Sequence, residues 1–534
     1  MDTTAIWGLY QRGIDYKSAI GLYDTVAKNE RFFAGDQWSG VHAPDLPKPV
    51  INFIKRACQQ KISEVKANPT RVCFSPLAFP SSVTGASSEG ADVALSDEDT
   101  ALLNALFEAD WERLKMDSVN LDGLQDACIS GDFLLYSYWD AAAPTGQSAA
   151  GCICVEAIDN VNYYPGNPNE RDVQRQPNIL IARREPVANV LLEARRCGVP
   201  VQPEVIASDA ETEWQSGDLS QLELGGAGKC VTLLYLYRDE ASGHIFAQKC
   251  TRSAVVRPLW DTRLTRYPIA LMNWERRKGC CHGRAEVTGL IPVQRYINQM
   301  YAMAMLFTMQ SACPKPLFNQ GMIKAWSTAV GTAIAVNGDV NAAAKYLAPP
   351  ALPQDAYNLP ERLMRATLEM EGLSDVSLGN VNPTNTSALV LAREAASIPI
   401  ETIKSRFYSM LEDFARNWLD LLAAYQTVPR WVNPRRSGGP ALFDASRLKS
   451  RLWAVRIDIG PATAWSEIAS VDTLGKLFEA GMLTVRQYIE RLPDGYLPMR
   501  ESLLAQLAGG GEATANQSRG DVLNGGDNGQ PEPQ

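Results

Sequence analysis

Apolar positions recur at intervals of three and four through three stretches between Ala285 and Gln426, and each stretch predicts a helix. The first, over residues 285–312, aligns Leu290, Val293, Ile297, Met300, Ala304 and Phe307 on one face. Pro292 suits a first turn there, where a missing N–H costs nothing. The second puts Leu359, Leu363, Ala366 and Met370 on one stripe and closes with Gly372 as a C′ residue. The third begins near Ser387 and holds Ile400, Ile403, Phe407, Met410, Phe414, Trp418, Leu421 and Tyr425 at the same spacings. Unbroken, it would reach about 60 Å. Pro399 inside it predicts a kink or break near Ile398. Between the second and third helices, SDVSLGNVNPTN is a Gly/Asn/Pro-rich connector.

Upstream, the pattern shortens and mixes. Residues Asp15 to Phe33 predict a helix with Tyr16, Ile20, Tyr23 and Ala27 on one face, leading into the turn FFAGDQWSG. PVINFIKRACQQKISEVKANP predicts a second, with Ile51, Ile54, Cys58 and Ile62 inward and Asn68-Pro69 stopping it. RVCFSP reads as a short strand, the Ser/Gly/Asp-rich residues 80–99 as a surface loop, and Thr100 to Asp132 as helical. FLLYSYWD, GCICVEAIDN and VNYYP are strands, Pro186 to Gly198 a helix, and KCVTLLYLYRD, HIFAQKC and PIALMNWE further strands. After the helical centre, RLWAVRIDI predicts a strand returning to that sheet. Two short helices flank Gly481, and a disordered tail follows. The class is α+β, with a sheet-bearing N-terminal half and a long-helix centre.

At 534 residues the chain predicts two to four packed units. The net charge of −9 argues against a general, basic-surfaced nucleic-acid binder. Eleven cysteines without framework spacing, and an opening that does not resemble a secretory signal, predict free thiols. The apolar run Met300 to Met309 is about half a bilayer span, so no membrane segment is expected. Catalytic motifs are lacking. GGAGKC has Glu223 where a phosphate loop needs glycine, Cys230 where it needs Ser or Thr, and a strand following. Cys280, Cys281 and His282 are adjacent and lack a CxxC partner, which favours structural thiols over a metal site. With three histidines there are few bases for nucleophilic catalysis. No catalytic residue, metal ligand or cofactor is therefore expected. From Arg252 to Arg284, arginines alternate with Trp260, Tyr267 and Trp274, a pattern that fits either a nucleic-acid face or an ion-paired strand face. The first long helix is apolar on more than one side, and such a helix needs neighbours on several sides, among them other copies of the chain.

Three stretches resemble the podovirus-type portal proteins of tailed bacteriophages. They are FFAGDQW with PVINFIKRACQQKISEVKANPTRV, then HGRAEVTGLIPVQRYINQM with its Gly, Gln and Asn leading a long helix, and LSDVSLGNVNPTNTSALVLAREAA. With the order of elements, the resemblance covers most of residues 30–500.

That resemblance implies a ring, as a rule a dodecamer, at one capsid vertex of the virion, assembled in the host cytoplasm. It implies a wing over residues 1–284, a stem helix over 285–312, a clip over 313–352 and a second stem helix over 353–375. A tunnel loop over 376–388, a long kinked helix and return strand over 389–463, a crown over 464–508 and the tail over 509–534 follow. The expected partners are further copies of the chain, the major capsid protein, the terminase large subunit, a head-tail adaptor or neck protein, and double-stranded DNA without sequence specificity. Ser377, Gly379, Asn380, Asn382, Thr384, Asn385 and Thr386 would line the channel. They carry no cation that would hold phosphates, and Gly and Asn accept the backbone a mobile loop visits. Arg276, Arg277, Lys278 and Arg295 are candidate DNA-facing cations, and Lys315, Phe318, Lys324 and Trp326 candidate docking residues of the clip. The alternative is an intracellular enzyme with an unrecognised nucleotide or nuclease site.

Overall fold

The computed structural model describes residues 2–67, 70–76, 97–147, 150–199, 201–202, 205–206, 208, 228–312, 315–327, 329, 331, 333–347, 354–373, 386–433, 440–450, 453–459, 464–492, 497 and 503–504. The chain is α+β. It divides into a unit of residues 1–66 and 71–458 and a second of residues 67–70 and 459–534.

The first unit opens with helices α1 (Thr3–Ala19) and α2 (Leu22–Ala34). The pattern predicts one helix across this boundary, but Gly21 takes φ 66, a left-handed turn that ends the first helix and starts the second. Helix α3 (Phe53–Lys66) and strand β1 (Thr70–Pro76) follow, then α4 (Asp97–Arg113) and α5 (Met116–Ser130). Here too one predicted helix is two, split at Lys115 with φ 51. Gly123 in α5 admits the ring of Phe133 so closely that a Cβ would lie 1.9 Å from Phe133 Cε2.

Strands β2 (Asp132–Asp140) and β3 (Cys152–Ile158) come next, then β4 (Tyr163–Pro165) and β5 (Asn178–Pro186). After helix α6 (Val187–Arg196) come β6 (Lys229–Arg238), β7 (Ile245–Cys250), β8 (Val255–Leu264) and β9 (Ile269–Asn273). Two antiparallel sheets result, one ordered β3-β2-β9 and one running β4 to β8 in sequence. Short hairpin connections join β6 to β7 and β7 to β8, whereas the chain between the antiparallel neighbours β5 and β6 passes through α6.

Helix α7 (Glu286–Ala312) leads to strand β10 (Lys315–Phe318), the single turn α8 (Val340–Ala343), strand β11 (Ala344–Leu347) and helix α9 (Gln354–Met370). Pro292 lies beyond the first turn of α7, deeper than the pattern suggests. Helix α10 (Thr386–Tyr425) carries Pro399 inside one continuous element of 40 residues, so of the kink or break expected near Ile398 the break does not occur. Strands β12 (Arg430–Val432), β13 (Ala441–Phe443) and β14 (Trp453–Ile459) complete the unit. β14 pairs with β1 in a separate ribbon and not with the larger sheets to which the pattern assigned it.

The second half of α10 is the core of this unit. Phe407, Met410, Leu411, Phe414, Trp418, Leu421 and Leu422 are all at most 1 % exposed. Each such side chain contributes about 1.5–3 kcal/mol by leaving water. Phe107 lies edge-on to Trp418 at 5.0 Å, tying α4 to this seam.

In the second unit, helices α11 (Ala464–Glu479) and α12 (Val485–Arg491) turn at Gly481, φ 71, matching the two short helices predicted around that glycine. Thr484 and Gln487 form a capping box at the start of α12. Phe478 stacks on Tyr488 at 4.9 Å.

A candidate assembly module on two anchored helices

Helices α7 and α9 pack on each other and carry β10, α8 and β11 between them. The first half of α7 is held by the body: Val287, Leu290, Ile291, Ile297 and Ala302 are buried. Two polar side chains on that face are buried as well and are fully engaged. Gln294 accepts from the Phe53 N–H at 3.2 Å and donates to the Ile51 carbonyl at 2.7 Å and to Asn298 at 2.9 Å. Asn298 in turn donates to Gln37 Oε1 at 2.6 Å. The Gln and Asn of QRYINQM therefore meet the Gln of FFAGDQW and the start of NFIKRAC, so two stretches far apart in sequence form one network. Buried amides must find such partners or lose about 1–3 kcal/mol each.

A second anchor was not foreseen. Lys61, 5 % exposed, places Nζ 2.6 Å from Glu286 at the start of α7 and 2.7 Å from Glu371 just past α9. Glu286 also accepts from Trp274 Nε1 at 2.8 Å. Burial pulls the Lys61 ammonium down, but the two carboxylates outweigh it and raise it. Burial pushes both carboxyls up. Hydrogen bonds from its partners, with the Lys61 charge, hold Glu286 below its ordinary range, whereas Glu371, facing Glu286, stays raised. The available signal was positional: Ile54, Ala57, Lys61 and Val65 share one helical stripe, so Lys61 falls where an apolar residue belongs.

Beyond Ala302, α7 loses its cover. Met303, Met305 and Met309 are 65 %, 46 % and 59 % exposed, and Met370 at the end of α9 is 89 % exposed. The β module is equally bare. β10 and β11 pair antiparallel with each other, Lys315 opposite Leu347 and Phe318 opposite Ala344. Phe318 stacks on Trp326 at 5.6 Å, and Trp326 meets Tyr346 edge-on at 6.2 Å. Ile323 and Ala343 are buried, while Leu317, Tyr346 and Leu347 are more than half exposed. Of the predicted clip residues, Phe318 and Trp326 thus come together in one aromatic row. Lys315 sits on the same strand as Phe318, and Lys324 is exposed on the connection.

The other candidates separate. Ser377, Gly379, Asn380, Asn382, Thr384 and Asn385 lie outside the described residues, and Thr386 is the first residue of α10. Arg276, Arg277 and Lys278 are exposed together in the turn bridged by Glu275 and Arg284. Arg295 stands apart from them on α7, its guanidinium 5.3 Å from the Phe32 ring. Cys280, Cys281 and His282 are buried in that same turn, where Tyr16 Oη lies 3.4 Å from Cys280 Sγ and His282 Nδ1 lies 2.9 Å from Asp132 Oδ2. A hydrogen bond from Cys281 lowers the Cys280 thiol against the pull of burial, and the same contact with burial raises Cys281. Among the described residues no group of three His, Cys, Asp or Glu side chains stands where it could hold a metal ion. Lys229 and Cys230 of GGAGKC begin β6, the strand that the sequence implies. Comparison of the chain with protein-family models and with curated proteins finds no match.

Proposed function

We propose that the chain is the subunit of a homo-oligomeric ring of the tailed-phage portal type. The ring would sit at one capsid vertex against the major capsid protein, pass double-stranded DNA during packaging and ejection, and dock the terminase large subunit and later a head-tail adaptor. The observation that carries this reading is the anchored helix pair with its uncovered end. A buried ion triad and an amide network fix α7 and α9 to the body, yet the far half of α7 and the β10–β11 module expose methionine, leucine and aromatic side chains that one copy leaves in water. Exposed apolar surface of this kind marks an interface. A heterologous contact repeated to closure covers it in every copy of a ring. The chain's net charge of −9, repeated around a channel, would repel phosphates and let a duplex slide. Among the described residues no helix is long and apolar enough to cross a membrane. The resemblance of the three quoted stretches and the order helix, small β module, helix, connector, long helix support the same assignment. In this reading the chain is not an enzyme, and ATP hydrolysis belongs to the separate motor.

The test is the paired substitution Met303→Glu with Met309→Glu. Both side chains are already exposed, so the folded monomer should keep its melting temperature while the high-mass assembly disappears in mass photometry. Assembly undiminished in the double variant would contradict the role given to this face.

A further inference from the structure

Between the loop over residues 169–175 and α10 the first unit holds a cleft of about 770 Å³, floored by β9. That volume is of small-ligand size, within the roughly 300–1,000 Å³ such sites occupy. Its lining includes the carboxylates of Glu170, Asp172 and Asp413 and the guanidinium groups of Arg171, Arg175, Arg276 and Arg406. Each carboxylate already has partners, though those of Glu170 are backbone N–H groups that do not neutralise its charge. Glu170 Oε1 accepts from the backbone N–H groups of Arg171 and Asp172 at 3.0 and 3.1 Å. Asp172 accepts from the Gln174 N–H at 2.9 Å and pairs with Arg175 at 3.5 Å. Asp413 takes Arg266 at 3.1 Å and Arg416 at 3.2 Å, two cations from outside the cleft lining.

Three of the four arginines are left over. Arg406, half-buried on α10, gives one N–H to the Trp274 carbonyl, and among the described residues neither it nor Arg171 nor Arg276 has a carboxylate partner. Arg406 and Arg171 are partly withdrawn from water, at a cost that a multi-oxygen anion would return, while the exposed Arg276 adds a third planar fork of the kind that matches phosphate geometry. Against the single unneutralised carboxylate of Glu170, three guanidinium groups without a carboxylate partner among the described residues leave this cleft net positive, a local reversal of field in an acidic chain. We propose that this cleft binds a small phosphate-bearing anion, an inorganic polyphosphate or the phosphate chain of a nucleotide, held by Arg171, Arg276 and Arg406. The inference does not depend on the ring proposed above.

Calorimetric titration of the full chain in phosphate-free, low-salt buffer tests it, using sodium pyrophosphate in one arm and ATP in the other. Saturable binding is expected, weakened about tenfold or more by Arg171→Ala with Arg276→Ala, which corresponds to about 1.4 kcal/mol. Arg276 is exposed and Arg171 half-buried, and among the described residues neither side chain makes a hydrogen bond or ion pair, so the melting temperature should hold. Arg257→Ala on β8, outside the cleft, should leave the affinity unchanged. ATP tighter than pyrophosphate identifies a nucleotide as the natural ligand; equal affinities identify the phosphates alone. No saturation of either ligand by about 10 mM, a concentration at which even the weak millimolar class of sites fills, would overturn the proposal. Binding that the arginine substitutions leave unchanged would overturn it equally.

Discussion

Replacing Lys61 by methionine would leave the carboxylates of Glu286 and Glu371 facing each other with no cation between them. Lys61 and Glu286 are both largely out of water, so their pairing is weakly screened. Breaking such a buried pair by removing one partner typically costs about 3–5 kcal/mol. We expect Lys61→Met to lower the unfolding free energy by that order, and the triple variant with Glu286→Gln and Glu371→Gln to recover part of it, as read by thermal melts. The pH dependence has a definite sign. Because the folded Lys61 ammonium is raised above the ordinary value of 10.5, its stabilisation is complete below that value and is lost as pH rises through the folded one. The melting-temperature gap between the parent and Lys61→Met should therefore be level near neutrality and close at strongly alkaline pH. A gap that is absent at neutral pH would contradict the assignment. Such a residue is hard to read from sequence, since a lysine on an apolar stripe does not reveal which carboxylates it meets.

At the scale of elements, helices were the legible part, because a period near 3.6 is written locally. The three central helices, and the pair around Gly481, fall where the apolar spacing puts them. Breaks were less legible: Gly21 and Lys115 each interrupt a continuous apolar pattern by one left-handed residue. Strand partners were least legible, because β1 ends at Pro76, β14 begins only at Trp453, and nothing in either names the other. Pro399 is a further case. It remains inside α10 and packs on the C′ position of α9, where a Cβ added at Gly372 would lie 2.8 Å from Pro399 Cγ. Gly372 also takes φ 76. Gly372→Ala should thus lose about 1–2 kcal/mol to the left-handed backbone and about 1–3 kcal/mol more to overpacking. Adding Pro399→Ala should recover the overpacking part alone. Additive losses in that double-mutant cycle would mean the two residues do not press on one another.

For the whole molecule, the α+β class and the order of elements could be read from the chain, while the uncovered surfaces needed coordinates. Spacing alone marked α7 as apolar on several sides; it did not separate the buried half ending at Ala302 from the exposed half carrying Met303, Met305 and Met309. That division is what turns an apolar helix into an argument for assembly. Electron-microscope images of the purified chain at micromolar concentration test the central claim most directly. Closed rings of uniform size with a central hole are expected, and fields containing only isolated subunits and pairs would contradict the proposed assembly.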